Sequence, residues 1–587
     1  MIVFYGDNFE LNLTKTKVTL IEENPLFYDY IVKKYSWPFS KHIDDDTSKK
    51  LGFLGLENAA NYQTRFYGNL LIDNKFEKAY FIITEFRNKT LKGTLYYGAE
   101  SIALLDTPLK DLPFSVISTT SLAIHAKETI SKSYPEVGYN FPMIINEDFK
   151  SKSKYDGLMG IVNNYDNGYF LSNHNALIDN VVIAFNKNIL VPYPYLMEIL
   201  KVGFASENMI MQGSFVSDTS NEKLMVYTDK YLEKFASDLP DGFQFTSASE
   251  VFDSGIVTAT FNKPYQLNQK GSYAIDMFFN IPTNLKVKEF SATKEDKVYF
   301  SSNSNVVNES FIVNIEGNQD YGHLNFKLVL EKTTNNPSDG IGDISAFNNF
   351  RFNLLDGSLN EFPNSFSLAE IMPDISFGSL LNKLKNWLNL EITFNKNVVN
   401  IDYIESKFLN VPLKDETHLE EENPHIKFNQ NKIYKLIHSS EEKIISKKGV
   451  VNSTVGYRQK DIIEITSEVS MLPVVSKDDV FTAKIEEVQG VQLFLFNGLK
   501  DEKPLAVSSL GDRKFNLSEI YNRYWKKWLT FRLNSETIKD KFKTDELEEF
   551  NISGGRFKYN KKQLYKKIKR TRNSENQWSI TIESESF

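Results

Sequence analysis

Alternating apolar and polar residues predict β-structure over most of the chain. Near the start of the sequence, Phe9, Leu11 and Leu13 alternate with polar residues, which is typical of a strand with one buried face. Three further short strands, rich in aromatic and β-branched residues, are predicted at 66–72, 77–86 and 90–98. We therefore expect the first part of the chain to form a small antiparallel barrel or sandwich.

A run of closely spaced strands begins at residue 243 and continues to residue 332. The strands are separated by Gly, Asn, Asp and Pro, and their short, regular spacing predicts a β-sandwich inserted as a unit of its own. The stretch 333–343 that follows is rich in turn-forming residues. It is expected to be the linker that leaves the sandwich.

One segment near the middle of the chain changes from a helical to an alternating pattern. At 376–388 the apolar residues recur at the spacing of an amphipathic helix, and Ser376 is the expected N-cap. Alternation follows directly at 390–394 and 399–403, around a turn at 395–397. The predicted order is helix, strand, turn and strand, and the segment carries no pair of residues ready to do chemistry.

Two more helices are expected, near 195–206 and near 518–533, the second with Ser518 as its N-cap. The second helix carries an aromatic stripe, which could be a carbohydrate platform but at helical spacing is more often core or subunit interface. From this stripe and the apolar face of 376–388 we nominate eight packing and interface residues: Phe377, Leu380, Leu384, Trp387, Tyr521, Tyr524, Trp525 and Trp528.

Composition narrows the class of protein. The chain has 587 residues, 41% hydrophobic and 25% charged, with 45 Phe and 29 Tyr, so a globular, multidomain and mainly β protein is expected. The absence of cysteine excludes disulfides, thiolate metal sites and thiol nucleophiles. A net charge of −8 argues against a general nucleic-acid binder. The first residues have no signal-peptide pattern, and no apolar run reaches about 18 residues, so we expect neither a signal peptide nor a membrane-spanning helix.

Candidate chemistry is sparse. The seven histidines form no HExxH motif, and there is no GxSxG, P-loop or GxGxxG motif. His418 and His425 flank an acidic loop with glutamates at 420–422, where a metal site is conceivable, but we interpret this loop and the aspartates at 44–46 as solvated surface. We nominate no catalytic residue, no cofactor and no metal ligand. Paired carboxylates of a glycosidase cannot be recognised by spacing alone.

The most basic segment, 556–572, holds nine Lys and Arg residues. They alternate with Phe557, Tyr559, Leu564 and Ile568, which predicts an antiparallel strand with one solvated face, paired in a hairpin with the final strand. Contact with nucleic acid, and pairing with an acidic neighbouring subunit, remain alternatives.

Four segments resemble parts of hub proteins from tailed phages and prophages of Bacteroidetes-type bacteria. They are ENPLFYDYIVKKYSWPFS (23–40), VPYPYLMEILKVGF (191–204), FSLAEIMPDISFGSLLNKLKNWLNLEITFNKNVVNIDYI (366–404) and IYNRYWKKWL (520–529). They are similar to baseplate-hub and tail-associated proteins of phages and to the hub of contractile injection systems. Patterns carry the resemblance, which is spread over most of the chain and includes no invariant catalytic motif.

The resemblance implies a homotrimeric ring at the distal end of a tail tube. Each subunit of that family contributes two tube-like β-barrels, so three subunits present a pseudo-sixfold face to a hexameric tube. The expected fold class is then mainly β with a few helices (α+β), multidomain, with two tube-like β-barrel domains and an inserted β-sandwich. The expected domains are an N-terminal hub barrel region at 1–115, a mixed α/β hub region at 116–240, the sandwich at 241–335, the helix and hairpin of a second hub barrel at 336–445, and a β-rich hub region at 446–587.

The function that the resemblance implies is structural and not enzymatic. The ring would join the tail tube or distal tail protein to tip, spike or receptor-binding proteins, and would surround a DNA conduit. An acidic protein suits such a conduit, because a basic lumen would hold the phosphates. The protein would lie in the virion, at the tail tip or baseplate, after assembly in the host cytoplasm, without a cofactor and not as an integral membrane protein. There are three alternatives. The first is a glycan-binding tail adhesin, in which the sandwich at 241–335, similar to carbohydrate-binding modules, binds the glycan. The others are a muralytic hydrolase and the hub of a host-encoded contractile injection system.

Overall fold

The predicted fold class, mainly β with a few helices, is confirmed. The structure is a computed structural model, and it describes residues 1–28, 31, 33–52, 64–72, 75–98, 103–148, 158, 160–178, 181–232, 234–235, 241–246, 248–267, 271–315, 322–336, 338–354, 360–395, 397–419, 424–428, 432–438, 443–447, 450–451, 462–477, 480–485, 490–544, 550–574 and 577–586.

The largest element is a sheet of 14 strands built from both ends of the chain. Along its main path the strands lie in the order Glu10–Asn12, Ile2–Gly6, Arg65–Ile72, Lys75–Arg87, Thr90–Tyr97, Lys33–Ser36, Thr19–Glu23, Lys561–Ser574, Gln577–Ser586, Glu536–Thr544 and His425–Phe428. Three further strands pair beside this path, at Phe39–His42, Gly555–Lys558 and Leu413–Asp415.

The two ends of the chain meet where Thr19–Glu23 pairs antiparallel with Lys561–Ser574. The three strands predicted between residues 66 and 98 are confirmed within this sheet. Among the described strands no pairing joins the two ends of the path. Of the two forms expected for the first part of the chain, a barrel or a sandwich, the closed barrel is therefore wrong. Alternation marks which face of a strand is buried, but it carries no signal for closure of the sheet. One core, with Phe4, Phe81 and Trp578 among its residues, lines the apolar face.

Residues between 241 and 354 form the expected β-sandwich. One sheet contains, in order, Asp241–Phe243, Asn348–Leu354, Gly271–Asn280 and Val306–Ile315, and the other contains Ser249–Asp253, Ile256–Leu267, Gly322–Thr333, Lys286–Lys294 and Lys297–Ser302. The two inner faces share one core that includes Phe290, Phe326 and Phe350.

The stretch 333–343, expected to be the exit linker, is a connection within the sandwich. It leads into Asn348–Leu354, which pairs with Gly271–Asn280 over seven residues of register. Turn-forming residues mark where a strand ends, but they do not indicate whether the next strand returns to the same core.

The predicted helix–hairpin unit is confirmed. Helix Phe377–Leu388 is followed at once by strands Leu390–Asn395 and Val398–Tyr403, which pair antiparallel. A strand from another part of the chain, Ile210–Gln212, adds to the hairpin in parallel.

Both ends of helix Phe377–Leu388 have capping residues. Ser376 is the N-cap, as expected, and its Oγ accepts the backbone N–H of Ser379 at 3.2 Å. Asn389 ends the helix in the left-handed region, with φ of 51°, which Asn tolerates better than most residues. The chain can therefore turn directly into the first strand of the hairpin.

The aromatic helix has three parts: Leu517–Ile520, a π-helical turn Tyr521–Trp525, and Lys526–Asn534. Ser518 is not its N-cap. The side-chain oxygen of Asn516 accepts the backbone N–H of Glu519 at 3.0 Å, so the helix starts earlier and the serine lies inside its first turn.

The remaining helices and sheets are short. Among the described residues, further α-helices include Asp45–Lys50, Leu122–Thr129, Leu196–Ser206 and Ile404–Lys407, and 3-10 turns occur at Pro25–Phe27, Ala103–Asp106, Leu109–Asp111, Asn221–Lys223, Ser345–Phe347, Leu368–Ile371, Phe408–Asn410 and Thr417–Leu419. Three small sheets have four strands each: Ile161–Val162, Ile144–Ile145, Val480–Lys484 and Val474–Lys477; Leu224–Val226, Val491–Phe496, Val469–Met471 and Ala506–Val507; Val450–Val451, Lys443–Lys447, Ile433–Ile437 and Ile462–Thr466. Two-stranded pairs are Tyr139–Asn140 with Tyr193–Pro194, Tyr165–Asp166 with Tyr169–Phe170, His174–Ile178 with Val181–Phe185, Lys234–Phe235 with Asn360–Glu361, and Ser365–Ser367 with Val116–Ser118.

Candidate functional site

The four sequence segments that carry the resemblance meet in one hydrophobic core. Segments 23–40, 191–204, 366–404 and 520–529 all contribute buried side chains to it. We call the contacts among these segments the four-segment junction. Because the segments are far apart in sequence, only the folded chain brings them together.

The first contact of the junction joins helix Leu196–Ser206 to helix Phe377–Leu388. The rings of Phe204 and Phe377 meet edge to face, with centroids 4.9 Å apart, an arrangement that the ring quadrupoles favour. Gly203 allows this close approach, since a Cβ built there would lie 2.2 Å from Cε2 of Phe377. Packing between the helices therefore requires a glycine at this position.

The second contact joins the end of helix Phe377–Leu388 to the aromatic helix. The Nε1–H of Trp525 donates to the main-chain carbonyl oxygen of Trp387 at 3.3 Å. The side-chain amide of Asn389 donates to the main-chain carbonyl oxygen of Tyr524 at 2.6 Å. The last carbonyl groups of a helix lack an intrahelical partner, so the Trp525 bond satisfies an acceptor that burial would otherwise penalise. The Asn389 bond adds a second link between the two helices.

The third contact ties the N-terminal segment to the junction. The rings of Phe27 and Trp528 lie with centroids 5.4 Å apart. The ammonium group of Lys385, on a side chain that is largely buried, donates to the main-chain carbonyl oxygen of Tyr28 at 2.8 Å. All four segments are thus linked by direct contacts.

The eight residues nominated from the sequence all lie in this core, and none is more than 8% exposed. They pack the junction within a single chain. Their role in contacts between subunits stays a prediction, because a side chain buried inside one chain meets a second chain only through its neighbours.

A partly buried polar network fixes two stacked tyrosines of the junction. The rings of Tyr403 and Tyr524 lie 4.5 Å apart at an angle of 18°. The Tyr403 hydroxyl donates to Asp218 Oδ2 at 2.9 Å, and Arg513 donates to Asp218 Oδ1 at 2.6 Å and also to the Tyr524 hydroxyl. Burial alone would raise the pKa of Asp218, but the bonds from Arg513 and Tyr403 outweigh it and lower this pKa. Burial raises the pKa of both tyrosines, so the network keeps one fixed protonation state near neutral pH.

A carboxylate holds the chain where the π-helical turn passes into Lys526–Asn534. Glu405 accepts the backbone N–H groups of Lys527 at 2.9 Å and of Trp528 at 3.0 Å. Burial raises the pKa of Glu405, and these two bonds act in the opposite direction. A π-turn interrupts the regular hydrogen-bond ladder and is frequent at functional sites. Here it aims the aromatic side chains at the helix–hairpin unit.

A groove of about 730 Å³ opens beside Glu405 at the surface of the junction. Phe408, Leu409 and Phe531 form its apolar wall, and Lys526 and Lys527 stand at its rim. Leu409 is 53% exposed. Neither lysine makes an ion pair with any residue that the structure describes. The groove is therefore one place where the junction can be contacted from outside.

Arg556, Lys558, Asp540 and Glu416 form a fully buried ionic cluster, which the sequence pattern did not predict. The Arg556 guanidinium lies 2.5 Å from Asp540 Oδ2 and 3.3 Å from Glu416 Oε2. Lys558 Nζ lies 3.4 Å from the same Asp540 oxygen. Two cations and two carboxylates thus compensate one another where no water can do so.

The prediction of a solvated basic face is wrong for Gly555–Lys558. There the cations point inward, while Phe557 is only partly buried. The reason is that acidic partners reach this strand from Asp540 and Glu416. The sequence contained one signal of this inward charge. In the strand Glu536–Thr544, Asp540 follows the buried Ile538 by two residues and therefore points to the same, inward face.

Four more cations of the basic run, Lys561, Lys566, Lys567 and Arg570, pair with carboxylates of the same chain. Lys567 lies 2.8 Å from Glu23, and Arg570 pairs with Glu22. These bonds join the C-terminal hairpin to the strand Thr19–Glu23. For these residues, the acidic partner is thus another part of the same chain.

The acidic and histidine-containing stretches do not converge. No group of three His, Asp or Glu side chains within the described ranges is placed to hold a metal ion. Asp44 caps helix Asp45–Lys50, where its carboxylate accepts the backbone N–H of Thr47 at 2.7 Å, and this bond lowers its pKa. His418 and His425 are exposed. The glutamates at 420–422 lie outside the described residues.

Comparison with known proteins identifies a weak structural similarity to a prophage tail protein. No family model matches the sequence, and no curated protein matches it. The crystal structure of the 43 kDa tail protein of prophage MuSo2 from Shewanella oneidensis is similar over 62% of this chain and 97% of that chain, with 8% sequence identity and a TM-score of 0.19. A TM-score of this size does not establish a shared fold. Within the described part of the chain, no helix combines the length and the apolar character that crossing a membrane requires.

Proposed function

We propose that this chain is a structural protein of a bacteriophage tail, the hub that forms a homotrimeric ring at the distal end of the tail tube. The observation that supports this proposal most is the four-segment junction. The segments that resemble hub proteins are separated in sequence, and yet they pack against one another in one core. Segments of a common architecture are expected to meet in this way.

The chemistry of the junction supports a structural role. Three of its polar side chains are engaged within the fold: Glu405 by two backbone N–H groups, Asp218 by Arg513 and Tyr403, and the indole of Trp525 by a carbonyl oxygen. Hydrogen bonds of this kind keep the packed segments in one fixed arrangement. A ring subunit needs such rigidity, because each copy must present the same surface to the next.

The ring has partners above and below it. The tail tube or a distal tail protein binds one side, and tip, spike or receptor-binding proteins bind the other. DNA passes transiently through the lumen, and the net charge of −8 suits this passage because a basic lumen would retain the phosphates. The protein is then located in the virion, at the tail tip or baseplate, after assembly in the host cytoplasm.

The oligomeric state of the purified full chain tests the proposal. Native mass spectrometry should give a species of three times 67.6 kDa, and class averages in negative-stain electron microscopy should show rings with threefold symmetry. A chain that remains monomeric at micromolar concentration, with no ring in the images, would contradict the hub.

A host-encoded injection system would use a hub of the same architecture. Gene neighbourhood separates the two cases. Capsid and DNA-packaging genes beside this gene support the phage, whereas tail-like genes without any head genes support the injection system.

A further inference from the structure

The two outer faces of the β-sandwich differ in chemistry. On the sheet that contains Gly322–Thr333, the outer face carries ion pairs, with Lys288 at 3.2 Å from Glu331 and Lys327 at 2.8 Å from Glu289. Exposed charges that pair in this way are typical of a solvated surface and add little stability. This face serves as the reference for the other.

The outer face of the second sheet is centred on Phe278. This ring is 47% exposed on Gly271–Asn280, a strand with neighbours on both sides. Asn308 lies directly opposite it on one neighbour, and Asn349 on the other. Directly opposite residues of antiparallel strands point to the same face, with Cβ atoms about 5 Å apart. An exposed aromatic ring is therefore flanked on each side by a carboxamide.

The next row on the same face places Asp276 between Ser310 and Arg351. One acidic and one basic residue leave this row without net charge. Asn308, Asn349 and Arg351 make no side-chain hydrogen bond or ion pair with any residue in the described ranges. Their donors and acceptors are therefore available to a ligand.

We propose that this surface, which we call the amide face and define by Phe278, Asn308, Asn349, Asp276 and Arg351, binds an uncharged polysaccharide. The C–H groups on one side of a sugar ring pack on an aromatic face. Sugar hydroxyls both donate and accept hydrogen bonds, and a carboxamide also does both.

The charge of the amide face separates this ligand from others. Nucleic acids and anionic glycans are held by clustered cations, and this face has a single arginine beside an aspartate. Val306 and Ile312 are also exposed on this face, but the row of Asp276 and Ser310 separates Ile312 from Phe278. A protein partner would need a larger continuous apolar centre than Phe278 and Val306 supply. The proposal is independent of the tail role, because it rests only on the sandwich.

The test uses the full chain on an array of neutral and anionic oligosaccharides, followed by calorimetric titration of the neutral oligosaccharide that binds best. Binding to a neutral oligosaccharide is expected. Phe278→Ala should weaken this binding by at least about tenfold. Asn308→Ala combined with Asn349→Ala should weaken it about as much. The matched control is Phe252→Ala, since Phe252 is 40% exposed on the opposite sheet, and its affinity should equal that of the unaltered chain.

Three results would overturn the proposal: no neutral oligosaccharide binds, only anionic ones bind, or Phe252→Ala reduces affinity as much as Phe278→Ala. Thermal melting checks that Phe278→Ala folds. If this variant does not fold, the affinity of the variant that combines Asn308→Ala with Asn349→Ala tests the proposal. The native mass of Phe278→Ala should equal that of the unaltered chain, so a failure of glycan binding is distinguishable from a failure of the ring.

Discussion

The indole nitrogen of Trp525 donates a hydrogen bond to the main-chain carbonyl oxygen of Trp387 at 3.3 Å, and neither side chain is more than 4% exposed. The carbonyl belongs to the last turn of helix Phe377–Leu388, where the helix offers it no N–H partner. The indole therefore satisfies a buried acceptor while it fills the space between two distant segments.

Replacing Trp525 with phenylalanine should destabilise the chain. Phe keeps an aromatic ring but leaves the Trp387 carbonyl without its donor, so the free energy of unfolding should fall by about 1–3 kcal/mol. Urea unfolding followed by circular dichroism measures this. Trp37→Phe is the control, because Trp37 is 49% exposed and its replacement should change stability by less than about 0.5 kcal/mol. Equal stability of the two variants would show that the Trp525 bond contributes nothing.

Gly203→Ala should also destabilise the chain, although alanine is the better helix former by about 1 kcal/mol. The new Cβ would lie 2.2 Å from the Phe377 ring, and overpacking of a core costs about 1–3 kcal/mol. Phe377→Leu in the same chain should relieve the clash. A double-mutant cycle by urea unfolding should give coupling of more than about 0.5 kcal/mol between the two sites, and strictly additive effects would refute the clash.

Local patterns predicted the elements of the fold, but they could not predict which strands pair at long range. Helix Phe377–Leu388 and its hairpin follow from periodicity and capping, which act over a few residues. The pairing of Thr19–Glu23 with Lys561–Ser574 has no such signal, because a strand has the same pattern whichever strand it pairs with. That pairing joins the N-terminal strands and the C-terminal hairpin in one sheet.

In the candidate site, too, local patterns predicted some features, whereas others depend on long-range packing. Helical spacing is enough to nominate side chains such as Trp387 and Trp528 for a core. The roles of Gly203 and Glu405 depend on which segment packs against them, and nothing close to them in the sequence reports it. The inward Arg556 departs from the usual rule that charged residues face water, because its partners are distant in the chain.

Arg556→Met should be among the most destabilising substitutions in the large sheet. It leaves Asp540 and Glu416 buried without their main cation, and breaking a buried ion pair from one side costs about 3–5 kcal/mol. Urea unfolding measures the loss. Lys543→Met, an exposed position on the same strand as Asp540, should leave stability unchanged. Adding Asp540→Leu to Arg556→Met should restore part of the loss, and a further loss of full size would argue against the ionic account.

Stability should depend on pH through His438. Burial lowers the pKa of this side chain to about 4, whereas a histidine in the unfolded chain titrates near about 6.5. Between these values the unfolded chain binds one proton more than the folded chain, so the free energy of unfolding rises with pH. The contribution of His438, about 3 kcal/mol in all, is complete above about pH 6.5 and is lost as the pH falls towards about 4.

Urea unfolding of the original chain and of His438→Leu, at about pH 7 and about pH 4.5, isolates this contribution from that of the other titrating groups. Leucine cannot take up a proton, so the drop in stability between the two pH values should be smaller by about 2–3 kcal/mol in the variant. His425→Gln is the control, because His425 is exposed and this variant retains His438. It should show the pH dependence of the original chain. If His438→Leu lost as much stability on acidification as the original chain, the buried histidine would not be the group that responds.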